Sequence, residues 1–468
     1  MSEIKVNKIS PKQTCTQVTL GDSGDTFTIP AGVTLTNSGT ATGFGPTGAV
    51  SWNTTAVTSS PLTAASGVGY FIDTSGGAIT VNLPAGSAGA IISLADYTNT
   101  WQTNAVTVNA NGSEKIGGVA APATLNTEGQ SVTFIYVDAT EGWKSVQDST
   151  SNIVGVAFIA ATGGTETTCG DYKIHTFTGP GTFTVSSLAS CSANNEVSYT
   201  VIAGGGGGGA GDFAPSVVAR AGGGGGAGGF RENKSAVDTY TASPLNGSTP
   251  ITVTATTFPI TVGGGGAKGV VFGAHASRGS NSVFSTITST GGGGGETAYS
   301  PNSPTFASTG PGGSGGGGSA GGSNSGGNGG SGNTPPVSPS QGSNGGGAGN
   351  TGPGIGGSGG GGASAVGVTN PGIVNGFNGG GGVTTSISAS PVAYSGGGGG
   401  GGSNPGGVGG TGGTGGGGNG ASMSPSAAGA NGGTNLGGGA GAGAGAGGGN
   451  HCGGNGGSGI VIIRYKFQ

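Results

Sequence analysis

Up to Ala203 the chain is written in short runs of alternating hydrophobic and polar residues; from Gly204 onward the alternation gives way to glycine. Period-two alternation bounded by Gly, Asp and Pro is the signature of half-buried strands. Residues 1–48 hold the runs EIKVNKI, QVTL, DTFTIP and GVTLT, separated by GDSGD and PAG turns. They offer too few apolar positions to close a core from one chain. This β segment is therefore expected to pack against symmetry mates, with a homotrimer as the preferred arrangement. Residues 49–150 predict a compact module with strands at Val68–Asp73, Ala78–Leu83, Ala90–Asp96, Ala105–Ala110, Ser131–Val137 and Gly142–Val146. Strand spacings near ten residues and the lack of helical periodicity predict a β-sandwich-like module or a small barrel. Trp101 and Trp143 read as packing residues of that module.

Residues 151–203 carry VGVAFIA, then YKIHTFTGPGTFTVSS, then EVSYTVIAG. The middle piece predicts a hairpin turning at Gly179-Pro180-Gly181, within a strand region 171–203. His175 falls among its alternating residues and reads as a solvated side chain. At the far end, Gly459–Phe467 is a second apolar strand, able to pair with Val197–Ala203 and fasten the two ends of everything between them.

Composition changes the picture there. Glycine supplies 120 of 468 residues, about four fifths of it beyond Ala203. Its runs lie at 204–211, 222–229, 263–266 and 291–295, then near 310–332, 342–362, 396–420 and 429–459. Such tracts ordinarily make flexible linkers, because glycine loses the most backbone entropy on ordering. A lattice of polyglycine II rods offsets that loss differently from a hydrophobic core. With three residues per turn and no internal hydrogen bonds, each rod turns all its N–H and C=O groups toward its neighbours. Close approach requires interior positions without a Cβ, and Cα–H···O contacts add small increments. GGNGGSG and GGTGGTGG place other residues at three-residue intervals, as where one face of a rod looks outward. The segments between runs carry Val, Ile, Phe and Tyr, unlike a spacer. The fold class read from the chain is all-β: an N-terminal β segment (1–48), the β-sandwich-like module (49–150), and a glycine-rich domain (151–468). In the last, packed polyglycine II rods and loops over 204–458 are closed by the terminal strand 459–467.

Charge excludes several functions. Only 6% of residues are charged, the net charge is −4, and Lys and Arg never cluster, so neither nucleic acid nor a polybasic membrane contact is expected. No stretch is long and apolar enough for membrane insertion, and the polar opening MSEIKVNKIS lacks a secretory h-region. From Thr297 through Ile463 there is no Asp, Glu, Lys or Arg, so a carboxylate pair for glycan hydrolysis cannot be assembled there. Upstream, Asp73, Asp96, Glu114, Asp138 and Glu141 read as solvated turn residues, and the neighbours His451 and Cys452 do not make a nucleophile and base. The four cysteines, Cys15, Cys169, Cys191 and Cys452, contain no CxxC, so no metal site or cofactor is expected. Cys169 and Cys191 bracket the hairpin and could bridge after release into an oxidising medium; free thiols are the alternative. The chain reads as a binding or structural protein, not an enzyme.

YTVIAGGGGGGAG from Tyr199, AGGFR at Ala227–Arg231, PITVGGGG at Pro259–Gly266, GSNSVF at Gly279–Phe284 and the ending GGSGIVIIRYKF resemble the glycine-rich domain of bacteriophage tail fibres. The opening MSEIKVNKISP…LGDSGDTFTIPAG resembles tail-fibre-like proteins of phages of marine cyanobacteria, and DTSGGAITVNLPAG and GWKSV are similar to a tail-fibre β module. A looser similarity, in pattern only, is to the polyglycine II adhesins at the fibre tips of T-even-like phages. The resemblance implies a virion tail fibre assembled in the host cytoplasm, joined to other tail proteins by its N-terminus. It implies recognition of a host-surface receptor, an outer-membrane protein or a glycan, through loops on a rigid scaffold. The loop residues placed in contact are Tyr299, Phe306, Val337, Val368, Ile373, Phe377, Ile387, Tyr394 and Met423. Competing readings are a filament subunit without a receptor, an ice-binding polyglycine II protein, and a depolymerase with its chemistry in residues 49–150.

Overall fold

The computed structural model describes residue 26 and residues 50–149, 157–212, 219–271, 274–298, 310–319, 327–349, 354–424, 427–445 and 451–468. The expected β segment 1–48 and Cys15 therefore lie outside the described residues, residue 26 aside. The chain is all-β and divides into two compact units, Met1–Val154 and Gly155–Gln468. No described helix is long and apolar enough to cross a membrane.

In the first unit the strands are β1 (Ser51–Val57), β2 (Leu62–Thr63), β3 (Val68–Ile72), β4 (Ile79–Asn82), β5 (Ile91–Asp96), β6 (Val106–Asn109), β7 (Ala123–Leu125), β8 (Ser131–Tyr136) and β9 (Trp143–Ser149). All six expected strands are present; the short or exposed strands β1, β2 and β7 had too little apolar alternation to show in the sequence. Two sheets, ordered β1-β3-β5-β8-β9 and β2-β4-β6-β7, share one core, and neither closes into a barrel. The pairing β1–β3–β5 is parallel, as is β2–β4–β6. The chain reaches this by alternating between sheets, so that successive coils stack, and only β7, β8 and β9 return antiparallel.

Trp101 and Trp143 are fully buried in this core, as read from the sequence, and their indole N–H groups donate to Ile72 O and Glu114 Oε2, each at 3.3 Å. Asp96 corrects the reading of solvated turn carboxylates. It is buried, and its oxygens accept the backbone N–H groups of Thr100, Trp101 and Gly129. Without those partners a buried carboxylate would be costly.

The second unit opens with β10 (Ala160–Thr162), β11 (Thr165–Cys169), β12 (Tyr172–Phe177), β13 (Gly181–Ser187), β14 (Glu196–Ile202), β15 (Phe230–Asn233), β16 (Ile251–Thr252), β17 (Thr257–Thr261), β18 (Ser282–Phe284) and β19 (Ile287–Ser289). Late in the chain come β20 (Val383–Thr385), β21 (Val392–Tyr394) and β22 (Ile460–Lys466). The expected closure holds: β14 and β22 pair antiparallel from Ser198↔Arg464 to Ile202↔Ile460. β22 lies inside the sheet β11-β12-β22-β14-β15, so the last strand of the chain joins strands formed long before it.

The hairpin expected at Gly179-Pro180-Gly181 is not formed. β12 pairs with β11 and β22, while β13 joins the other sheet, β10-β13-β17-β18-β19. The segment is an arch between two sheets, with Phe177 and Phe183 meeting in the core they share. Cys169 and Cys191 are consequently not bridged; both are free thiols, one ending β11 and the other exposed before the turn Ser192–Asn195. His175 is buried, against expectation, because its sheet is covered on both faces. Its Nδ1 lies 2.7 Å from Gly163 O and its Nε2 3.1 Å from the Tyr465 hydroxyl; burial pushes its pKa down.

The glycine runs form rods bound by intersegment hydrogen bonds in threefold rotation. In rod 204–212, Gly205, Gly208 and Gly211 donate to Gly457, Gly454 and His451; Gly206 and Gly209 donate to Gly226 and Gly223; Gly204 and Gly207 donate to Ser280 and Ser277. The carbonyls of Gly204 and Gly207 accept from Gly292 and Gly295, those of Gly205 and Gly208 from Gly266 and Gly269, and those of Gly206 and Gly209 from Ala440 and Gly443. The three neighbours that receive run antiparallel and the three that give run parallel. A three-residue turn presents N–H and C=O groups in three directions each, so this rod has six partners, and these bonds satisfy its backbone from Gly204 to Gly209.

Two details refine the expectation. Buried alanines occur within rods, at Ala210, Ala440, Ala442 and Ala444, so a Cβ is excluded only where it would point at a neighbour's carbonyl. Rods at the rim lack a neighbour, and asparagine side chains supply the missing carbonyl: Asn375 and Asn378 accept from Val408 and Thr411, Asn455 from Lys268, and Asn431 from Asn455. In GGNGGSG (453–459) and GGTGGTGG (409–416), the exposed third residues are Asn455, Thr411 and Thr414.

Candidate functional site

The lattice has two different ends. At one end the rods run into the sheets, at Ile202–Ala203, Gly229–Phe230 and Gly459–Ile460. At the other the chain turns back through 371–374 and 403–407, and residues 422–424 and 427–428 lie at the same end. These turns are tied to one another. Buried Asn370 organises the first: its amide donates to Ile373 O (2.9 Å) and Asn375 O (3.1 Å), and its oxygen accepts from Gly372 and Ile373. Ser403 N–H donates to Val374 O at 2.7 Å, Gly376 N–H to Val408 O at 2.8 Å, and Met423 N–H to Gly407 O at 2.9 Å. Ile373 is thereby held out at the crest of a fixed turn, 47% exposed.

The nine sequence candidates separate on this frame. Val368 and Ile373 are exposed, and Phe377 and Met423 half-buried, on these turns or the rods beside them. Val337 is half-buried in the 333–341 connection at the sheet end. Tyr299 and Phe306 lie outside the described residues. Ile387 and Tyr394 are corrected: both are buried in the hairpin β20–β21, packed with Ile174, Ile202, Phe230 and Ile462 against the outer face of the closing sheet. They anchor that hairpin and present nothing to a partner. Missed by sequence reading was Val408, 60% exposed beside these turns; Val366, equally exposed, lies toward the sheet end. Val408 follows NPGG and breaks a glycine run, and a single large residue there was the available signal.

Charge also reaches this end from outside the uncharged stretch. Asp212 and Arg220 lie at this end; the Asp212 carboxylate accepts Arg220 N–H at 2.7 Å, and burial pushes its pKa up. Glu296, near the top of its rod, accepts Ser319 N–H at 2.7 Å, and burial raises its pKa from 4.5 to about 7. An acid raised on folding holds its proton more tightly in the folded state. Stability therefore falls as pH climbs from about 4.5 to about 7, by about 3 kcal/mol in all. Glu296→Gln keeps an oxygen for Ser319 and removes the charge. It is expected to stabilise the domain by that amount at pH 8 and to do nothing at pH 4, as read by denaturant unfolding at both. Equal effects at both pH values would assign the change to packing instead.

Among the described residues no group of three or more His, Cys, Asp or Glu is placed to hold a metal ion. Of the upstream carboxylates, Asp73, Glu114 and Asp138 accept backbone N–H groups, and Glu141 pairs with Lys144 at 2.8 Å. The loop end presents exposed turns tied by hydrogen bonds, with Ile373 at a crest and asparagine amides between them.

Comparison with known proteins gives two findings. The family described as a glycine-rich domain matches residues 176–466. Over 107 residues the chain is 34% identical to the baseplate wedge protein gp10 of Enterobacteria phage T4. That segment is 22% of this chain and spans only 18% of the relative's length.

Proposed function

This chain belongs to the glycine-rich domain family, and from that premise we propose that it is a structural and binding component of a bacteriophage virion. It is a non-enzymatic tail fibre whose lattice loops recognise a host-surface receptor. The similarity to a baseplate protein supports the virion placement, and the glycine-rich family supports the scaffold. The observation that carries the reading is the asymmetry of the lattice. One end is sealed by two sheets, and the other raises Ile373 and its neighbours on turns locked by backbone and side-chain hydrogen bonds. A surface fixed in this way loses little conformational entropy on contact, and a trimeric fibre would multiply a weak interaction by avidity. The receptor is an outer-membrane protein or a glycan, the N-terminal segment joins other tail proteins, and assembly takes place in the host cytoplasm.

The test is saturable binding of the fluorescently tagged full chain to a panel of marine bacteria, cyanobacteria included. A variant with 371–374, 403–407 and 422–424 replaced by Gly and Ser, its fold checked by circular dichroism and melting, serves as control. Binding is expected to fall at least tenfold in that variant, about the 1.4 kcal/mol carried by a few apolar contacts. Binding that survives the replacement would remove these turns from the site. The lack of saturable binding to any strain would leave the chain a structural fibre.

A further inference from the structure

We propose that the first unit carries a second binding site, for a neutral oligosaccharide, on the outer face of the five-stranded sheet. It is separate from the lattice loops and does not rest on the reading given for them. The register builds it. Trp52, Gly69, Ser93, Thr133 and Gln147 are consecutive partners across β1, β3, β5, β8 and β9, one row perpendicular to the strands. The neighbours of these residues, Tyr70, Leu94, Val132 and Phe134, fill the core, so this row faces away from it.

The middle of the row is small or hydroxylated, and that makes a trough. Ser93 and Thr133 share a hydroxyl hydrogen bond of 2.8 Å on its floor. Trp52 rises at one side and Val146 and Gln147 at the other, around a groove of about 540 Å³. Ligand clefts commonly span roughly 300–1,000 Å³.

The aromatic wall is fixed in place. The Trp52 ring lies across Gly69, where a Cβ would come within 2.7 Å of the indole, and it packs tilted by 31° against Phe71 with centroids 4.9 Å apart. Phe71 in turn meets Tyr97 at 6.3 Å, which extends the wall past β5. Trp52 is 43% and Tyr97 57% exposed, although burying such rings is worth far more than leaving them in water.

Apolar rings beside a line of hydroxyl and amide groups match the chemistry of a sugar, whose ring faces are C–H and whose edges are hydroxyl. Among the described residues Asp148 is the one charged side chain lining the groove, so the groove would repel phosphate and offers nothing to an anionic polymer. A peptide adding itself as a strand would need the sheet edge, and the groove lies on the face.

Intrinsic fluorescence reads this site directly. The chain has three tryptophans, and of these Trp101 and Trp143 are fully buried, so a collisional quencher such as acrylamide should reach Trp52 alone. The full chain is titrated with neutral hexasaccharides of glucose, galactose, mannose and N-acetylglucosamine to millimolar concentration, with calorimetry in parallel. At least one is expected to blue-shift Trp52 emission and protect it from acrylamide. Trp52→Ala is expected to weaken calorimetric binding at least about tenfold with an unchanged melting temperature. Thr133→Ala and Gln147→Ala should each weaken it by about three- to tenfold. The proposal is overturned if no sugar in the panel binds, if binding persists in Trp52→Ala, or if acrylamide fails to reach Trp52 in the free chain. The last outcome would show the face to be covered by this protein itself.

Discussion

Gly208→Ala is expected to destabilise the glycine-rich domain by at least about 3 kcal/mol, whereas Gly264→Ala should leave its melting temperature within about 2 °C of the parent. The two substitutions are chemically identical and both fall in rods. At Gly208 an added Cβ would sit 2.0 Å from the carbonyl oxygen of Gly441 and 2.6 Å from its carbon; at Gly264 it would meet nothing within 4 Å. The neighbouring backbone has little freedom to withdraw. Gly208 donates to Gly454 and accepts from Gly269, and Gly441 donates to Ala430, so moving one rod strains bonds to several others. Thermal unfolding of both variants and the parent checks this. Equal small losses would mean that the rods slide freely past one another, and the lattice would then not be the rigid frame that the loops require.

Arg464→Met is expected to cost about 3–5 kcal/mol, and adding Asp238→Leu to it should restore most of the loss. Arg464 Nε lies 3.0 and 3.1 Å from the two Asp238 oxygens, and both side chains are all but fully buried. Asp238 also accepts from the Ser198 hydroxyl at 2.8 Å, and the guanidinium lies over the rings of Tyr172, at 4.5 Å, and Tyr240, at 5.5 Å. Removing the cation leaves a carboxylate buried without its partner, and the destabilisation is mostly that penalty. Arg464 Nη1 has no hydrogen-bond partner, so the pair is incompletely satisfied and an apolar replacement of both should be tolerated. Chemical denaturation of the single and double variants separates the terms. A double variant no better than Arg464→Met would show that the pair positions β22 by more than its charge.

Several features were legible because they are local. Six of the nine strands of the first unit follow from period-two alternation between turn residues, and Trp101 and Trp143 followed as core. The rods followed from glycine recurring in runs with outward residues at every third place. The pairing of β14 with β22 was legible because these are the apolar strands bracketing the glycine, and a strand that apolar must find a partner.

What failed was what depended on partners. Alternation around Gly179-Pro180-Gly181 says that strands flank a bend; it does not say whether they pair with each other or with β22 and β17, remote in the chain. Alternation also marked His175 as exposed, since nothing nearby in sequence reveals that a second layer covers its sheet. The same blindness put Ile387 and Tyr394 on a binding surface, when the hairpin that carries them folds back onto the closing sheet. The loop end of the lattice, the tie from Asn370 to the Ile373 turn, and the Trp52 row were likewise out of reach. By itself, the sequence determined the all-β class, the division at the onset of glycine and the existence of the rods, because periodicity and the missing Cβ act within a few residues. Only the tertiary structure decided which rods adjoin, which turns share an end and which apolar side chains stay in water, because hydrogen bonds between segments hundreds of residues apart set those neighbours.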